Sequence, residues 1–235
     1  MSCADSHSGW SCGASLTLSI FLLTLLFPAA NASADWMFGG YMGVSSTASN
    51  TLTVTPTAGS PFTVNDVSYK GQPFRSPIYY GVRAGWIPSG RGPGVEVEWT
   101  HAKAIAQLNS AAQDLNAFQQ SHGLNFLLAN AVFRLSPSAC NTRCTVALRG
   151  GAGISTPHVE STFRNVHQEQ YQYGGVAWQV GAGLEYRVWQ FAWAVADAKL
   201  TRVNEKHLRG ADVEIAGPFF VRHVDFGVAF RFPPH

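Results

Sequence analysis

The residues whose types and spacing could do chemistry are mostly histidines. His101 lies in Trp99-Thr100-His101-Ala102-Lys103, and His158 in Ile154-Ser155-Thr156-Pro157-His158-Val159-Glu160. Neutral imidazoles ligate metals or move protons. With Glu160 as third ligand they make the two-histidine, one-carboxylate set of non-haem iron oxygenases, and a divalent metal such as iron is the implied cofactor. Glu160 could equally act as an acid or base, and Lys103 could hold a phosphate. The expected catalytic set is therefore His101, His158, Glu160 and Lys103, with His101, His158 and Glu160 as the metal ligands. The plainer alternative is that a histidine at a membrane interface is a tolerated amphipathic side chain. There is no P-loop, G-x-S-x-G, H-E-x-x-H or C-x-x-C motif to point to chemistry of another class.

The elements that must carry these residues read as strands. Period-two alternation recurs, most clearly over 176–187, where Val176, Trp178, Val180, Ala182, Leu184 and Tyr186 share one face. Ala177, Gln179, Gly181, Gly183, Glu185 and Arg187 share the other. Eight such segments are expected: Trp36 to Ser45, Ile78 to Ile87, Val95 to Lys103, Leu124 to Leu135, Val146 to His158, Gly174 to Arg187, Phe191 to Thr201 and Phe219 to Phe232. Long polar connections (46–77, 104–123, 159–173, 202–218) alternate with short ones (88–94, 136–145, 188–190), as in outer-membrane barrels. The fold class expected is all-β, an eight-stranded antiparallel transmembrane β-barrel with long extracellular loops and short periplasmic turns.

Eight strands leave an interior filled by side chains. Its expected contents are Arg83, Glu96, Glu98, Asn130, Arg134, Arg149, Gln179, Glu185, Arg187 and Arg231, interspersed with small residues. Trp36, Tyr80, Trp86, Trp99, Trp178, Tyr186 and Trp189 are expected in the interface belts. Counted by twos, both histidines fall on the outward face at the long-loop rim. Ala104, Ile105, Leu108, Ala111, Ala112, Leu115 and Phe118 fall near helical spacing, which suggests an amphipathic loop helix between 104 and 122. Alternation alone does not say which face meets lipid, so a soluble secreted β-sandwich stays open.

Composition bounds the partners. Charged residues make up 13% of the 235 residues and aromatics 12%, and the net charge is +2, from 16 Lys plus Arg against 14 Asp plus Glu. Soluble domains carry about 25% charged residues. A chain this poor in charge has no basic stripe for a phosphate backbone, and no nucleic-acid partner is expected. Residues Leu16 to Phe27 form an apolar run before a small-residue segment ending Ala32-Ser33-Ala34, which reads as a cleaved signal peptide over 1–34 with the barrel over 35–235. Of the four cysteines, Cys3 and Cys12 lie in the signal, while Cys140 and Cys144 flank a turn and suit a disulfide. A metal pair is the rival reading of those two thiols.

Five stretches look like one family. T-H-A-K at 100–103, G-L-N-F-L-L-A-N-A-V-F-R at 123–134, G-A-G-I-S-T-P-H-V-E at 151–160, Y-Q-Y-G-G-V-A-W-Q at 171–179 and G-V-A-F-R-F at 227–232 resemble the lipid A oxidase family of small outer-membrane barrels. The resemblance runs from about Tyr79 to the end of the chain. It implies oxidation of the proximal glucosamine of lipid A to an aminogluconate, with molecular oxygen as co-substrate, at the outer membrane of a Gram-negative bacterium. Lipid A or lipopolysaccharide is the implied partner, and a monomer is expected. His122 stands where the pattern leads one to expect an acidic residue. The competing expectation is a non-catalytic structural or adhesive barrel that acts through its extracellular loops.

Overall fold

The computed structural model describes residues 34–88, 93–138 and 143–232. The signal peptide expected over 1–34 lies outside the described residues, apart from Ala34. The strands are β1 (Ala34–Thr47), β2 (Asn50–Pro56), β3 (Phe62–Lys70), β4 (Tyr80–Pro88), β5 (Pro93–Gln107) and β6 (Leu115–Leu135). They continue with β7 (Cys144–Ser155), β8 (His158–Phe163), β9 (Val166–Tyr171), β10 (Gly175–Arg187), β11 (Ala192–Gly210) and β12 (Val213–Phe232).

Eight of them close a ring in the order β1, β4, β5, β6, β7, β10, β11, β12, every neighbouring pair antiparallel and β12 returning to β1. Closure is what hydrocarbon demands, since an open edge would leave backbone N–H and C=O groups without partners. The large apolar face of the alternating strands lies outside: Trp178 is 63% exposed and Phe226 64%, while Gln179 on the opposite face is 2% exposed. A sandwich would bury the first set and expose the second, so the soluble alternative is set aside.

The four remaining strands occupy the connections read as long loops. The β2–β3 hairpin bridges the outer ends of β12 and β5, and the β8–β9 hairpin pairs with the outer end of β6. Strands β5, β6, β11 and β12 run beyond the lipid belt to meet them. Inside this outer storey the side chains are apolar, with Leu52, Val64, Phe118, Phe126, Phe163 and Phe219 fully or almost fully buried in one cluster.

No helix forms between 104 and 122. Strand continues to Gln107, a single 3₁₀ turn spans Ser110–Ala112, and strand resumes at Leu115. The turn between Gln107 and Leu115 and a register shift between Leu115 and Ala117 explain the false signal. The shift adds one residue on β6, and alternation by twos interrupted by a turn and a bulge resembles helical spacing.

Below the apolar storey the interior is an ion-pair lattice. Arg149 reaches Glu96 at 3.0 Å, Glu185 at 3.0 Å and Asp197 at 2.6 Å, and Arg83 meets Asp197 at 2.5 Å. Arg134 pairs with Glu96 and Glu185, and Arg231 with Glu185. Lys199, Asp197 and Asp225 belong to this interior and were absent from the expected inventory. Arg187 leaves it: the residue is exposed at the end of β10, its guanidinium 6.0 Å from the Trp193 ring. A position at the mouth of the barrel has water within reach, so its charge needs no buried partner. Cys144 opens β7 and is disulfide-bonded. Cys140 lies outside the described residues.

Candidate metal centre

The outer rim between β6, β8 and β9 brings four ligand-bearing side chains together. Atoms of His122, His158, Glu160 and Glu169 lie within 4.8 Å of one another. Register places three of them: His158 and Glu160 are two apart on β8 and so share a face, and Glu160 stands opposite Glu169 on β9 and Gln119 on β6. The fourth arrives by an irregularity. At the β6 bulge, where residues 121–123 stand opposite Lys103 alone, Gly123 adopts φ +139°, a conformation glycine supplies without strain, and a Cβ there would meet the Asn125 side chain at 2.5 Å. His122 accordingly departs from the inward alternation of Gln120 and faces Glu160, its Nδ1 2.5 Å from Oε1.

Glu160 is the hub. Its Oε1 accepts from Ser121 Oγ at 2.5 Å and its Oε2 from Gln119 Nε2 at 2.6 Å. Burial pushes the carboxyl pKa up, but hydrogen bonds from Ser121, His122 and Gln119 outweigh it and hold the group below the usual carboxylate range. Glu160 is therefore ionised at neutral pH, which suits a ligand better than a proton donor. His158 Nδ1 is buried, has no hydrogen-bond partner among the described residues, and lies 3.6 Å from Glu160 Oε1, too far for a hydrogen bond. The His158 ring is set by edge contacts with Tyr171 at 4.5 Å and His122 at 5.3 Å between centroids.

A buried imidazole nitrogen with no protein partner among the described residues, beside an ionised carboxylate, is suited to ligate a cation, and two imidazoles with two carboxylates fit a divalent transition metal. The same residues do not fit a nucleophilic triad. Ser121 Oγ gives its proton to Glu160 and approaches the Nδ1 of His122 that already meets Glu160, at 3.3 Å, whereas a triad places serine on the other ring nitrogen.

Of the residues singled out from the sequence, His158 and Glu160 converge. His101 does not join them: its Nδ1 lies 2.8 Å from Asn125 Oδ1 and its ring stacks on Tyr80 at 5.3 Å, so the expected ligand role passes to His122. Its register follows outward-facing Trp99, but the residue is only 6% exposed. Lys103 stands on β5 opposite the β6 bulge and donates from Nζ to the Arg75 carbonyl at 2.7 Å. His122 had a signal in the sequence, because a glycine inside a strand pattern marks a bulge. Glu169 had none, being one polar residue of an evenly polar hairpin strand.

No family model and no curated protein matches the chain. Solved structures share its fold. A major outer membrane protein from Thermus thermophilus superposes with a TM-score of 0.50 at 13% identity, covering 85% of this chain and 100% of that one. Neisserial surface protein A gives 0.43 at 13% identity, covering 85% and 99%. Ail, the attachment invasion locus protein of Yersinia pestis, gives 0.41 at 15% identity, covering 86% and 99%. At such identities the likeness is one of fold alone: the chain is a small β-barrel of the outer-membrane type.

Proposed function

We propose that this protein, exported by a cleaved signal over 1–34, oxidises the proximal glucosamine of lipid A to an aminogluconate, with molecular oxygen as oxidant, at the centre formed by His122, His158, Glu160 and Glu169. The observation that carries this reading is the convergence of two imidazoles and two carboxylates at the outer rim, beside the T-H-A-K and P-H-V-E segments that resemble the lipid A oxidases. His122, His158, Glu160 and Glu169 would hold a divalent metal such as iron, which when bound would supply the redox chemistry with oxygen.

The chain's own residues supply the setting. His122 and His158 present nitrogen ligands, Glu160 offers a carboxylate kept ionised by three donors, and Glu169 closes the set from the neighbouring strand. Ser121 and Gln119 fix the Glu160 carboxylate as outer partners commonly fix metal ligands. Chemically, a proximal sugar whose C1 carries a free hydroxyl rather than a phosphate ester loses two electrons and two protons to oxygen, which becomes peroxide, and water then opens the resulting lactone to the acid. The net gain is one oxygen atom.

Mass spectrometry of lipid A from a Gram-negative host whose lipid A carries a free C1 hydroxyl, grown with and without air, tests this directly. A product heavier by one oxygen is expected only with the protein and only with air. His158→Ala and Glu160→Gln should each lower its yield by more than the roughly 10–100-fold that loss of an outer partner costs. Unchanged lipid A in cells holding the folded barrel would overturn the oxidase reading and leave a non-catalytic barrel acting through its outer storey.

A further inference from the structure

Among the buried cations of the described residues, Lys103 differs from the rest. Arg83, Arg134, Arg149, Lys199 and Arg231 each lie within ion-pair distance of a carboxylate. Lys103 is 3% exposed, and no carboxylate among the described residues lies within 4.0 Å of it. Its single hydrogen bond, to the Arg75 carbonyl, uses one of three donors. Glu160, which acts on Lys103 at longer range, is already engaged by Ser121, His122 and Gln119. Burial of an ammonium with two of its three donors unused favours an anionic ligand beside it.

The space for it is beside Lys103. The segment Gln72 to Pro77 folds against β5 and β6 and encloses a cavity of about 310 Å³, lined by Arg75, Lys103, Gln119, Ser121 and His122 among others, with no acidic residue in its wall. Both cations and the amide and hydroxyl groups suit a tetrahedral oxyanion. The setting also indicates where the anion comes from. Arg75 follows Phe74, which is 74% exposed, and Ile78 nearby is 37% exposed, so the segment shows apolar side chains to its surroundings at the rim where the lipid belt ends. A loop that mixes an exposed phenylalanine with arginine suits the boundary between acyl chains and headgroups.

We propose that Arg75 and Lys103 form a subsite for a phosphate group, carried by a phosphorylated lipid of the outer leaflet. This goes beyond the oxidase reading and does not require it, although the two sites share His122 and a bound lipid phosphate would lie beside the metal centre.

The test uses the full barrel in phosphatidylcholine nanodiscs with the lysine side-chain nitrogens ¹⁵N-labelled. Short-chain phosphatidic acid is titrated as a lipid phosphomonoester and, separately, inorganic phosphate as a free one. Saturable binding of phosphatidic acid is expected, with a shift of the Lys103 Nζ resonance and at least about tenfold weaker binding in Lys103→Met, as for loss of a charge-assisted contact. Arg75→Gln, on an exposed segment where folding is not at stake, should weaken binding several-fold. Inorganic phosphate binding as tightly as the lipid overturns the lipid source. Equal affinity of wild type and both variants for phosphatidic acid overturns the subsite. Lipid A oxidation assayed in the same samples separates the two readings: oxidation without phosphate binding sinks this one alone, and phosphate binding without oxidation sinks only the other.

Discussion

Lys199→Met is expected to lower the unfolding free energy by about 3–5 kcal/mol, the usual cost of removing one partner from a buried ion pair. Lys199 Nζ lies 2.6 Å from Glu98, 2.9 Å from Asp225 and 2.9 Å from the Tyr41 hydroxyl, with no side-chain exposure. Methionine nearly preserves volume, so the effect isolates lost charge from lost packing. The two carboxylates would then rest on neutral donors, Glu98 on Tyr41 at 2.6 Å, Gln179 at 2.6 Å and Asn130 at 3.0 Å, and Asp225 on Tyr79 at 2.7 Å, with Arg83 no nearer Glu98 than 4.0 Å. Urea unfolding in lipid vesicles measures the loss. Pairing Lys199→Met with Glu98→Gln should recover part of it, since one orphaned charge goes with its partner. Arg164→Gln is the control: its pair with Asp114 is about half exposed on both sides, and its removal should cost under about 1 kcal/mol. A Lys199→Met loss no larger than the control would mean that water reaches the lattice.

Glu205 sets a pH dependence of opposite sign to the usual carboxylate. The outward face of β11 changes from Leu200 to Arg202, Asn204 and Lys206, so the lipid belt ends near Thr201 and Glu205 stands in the outer storey. It is fully buried there, and burial raises its pKa to about 7 against the opposing hydrogen bonds from Ser155 at 2.7 Å and Gln120 at 2.5 Å. The folded state therefore holds a proton that the unfolded chain releases near pH 4.3. Stability is greatest below that value, falls as pH rises toward 7 and levels off above, a total on the order of 3 kcal/mol. Glu205→Gln should remove this slope and stabilise the barrel at pH 8. Gln120 Oε1 is buried without a partner among the described residues, and after an amide flip it can accept the proton of the acid or the amide of the variant. Parallel slopes for wild type and Glu205→Gln between pH 4.5 and 7 would show that another group titrates.

Period-two alternation fixes which residues share a face, and a membrane barrel has the simplest burial rule of any β-fold. That is why the eight spanning strands, the polar interior of Arg83, Glu98 and Arg149, and the apolar belt of Trp178 and Phe226 could be read from residues alone. Residue type and nearness in the sequence group His158 with Glu160, the first ending a spanning strand and the second in the connection after it. The structure instead puts both on the separate strand β8, two apart on one face. Residue types alone could not supply His122 or Glu169, nor release His101 from the ligand set. Which strands meet at the outer rim depends on the β8–β9 hairpin docking on β6, and His122 joins them through a bulge at 121–123 that inserts two residues in β6. Residues inserted in a strand turn a side chain away from the face its alternation predicts, while the residue types along the strand stay the same. Lys103 shows the same division. The sequence marked it as a group able to hold a phosphate, but only the packing of residues 72–77 against β5 and β6 put it beside Arg75, out of water and out of reach of any carboxylate among the described residues. Lys103 and Arg75 are 28 residues apart in the chain, and their meeting at one cavity is a property of the fold.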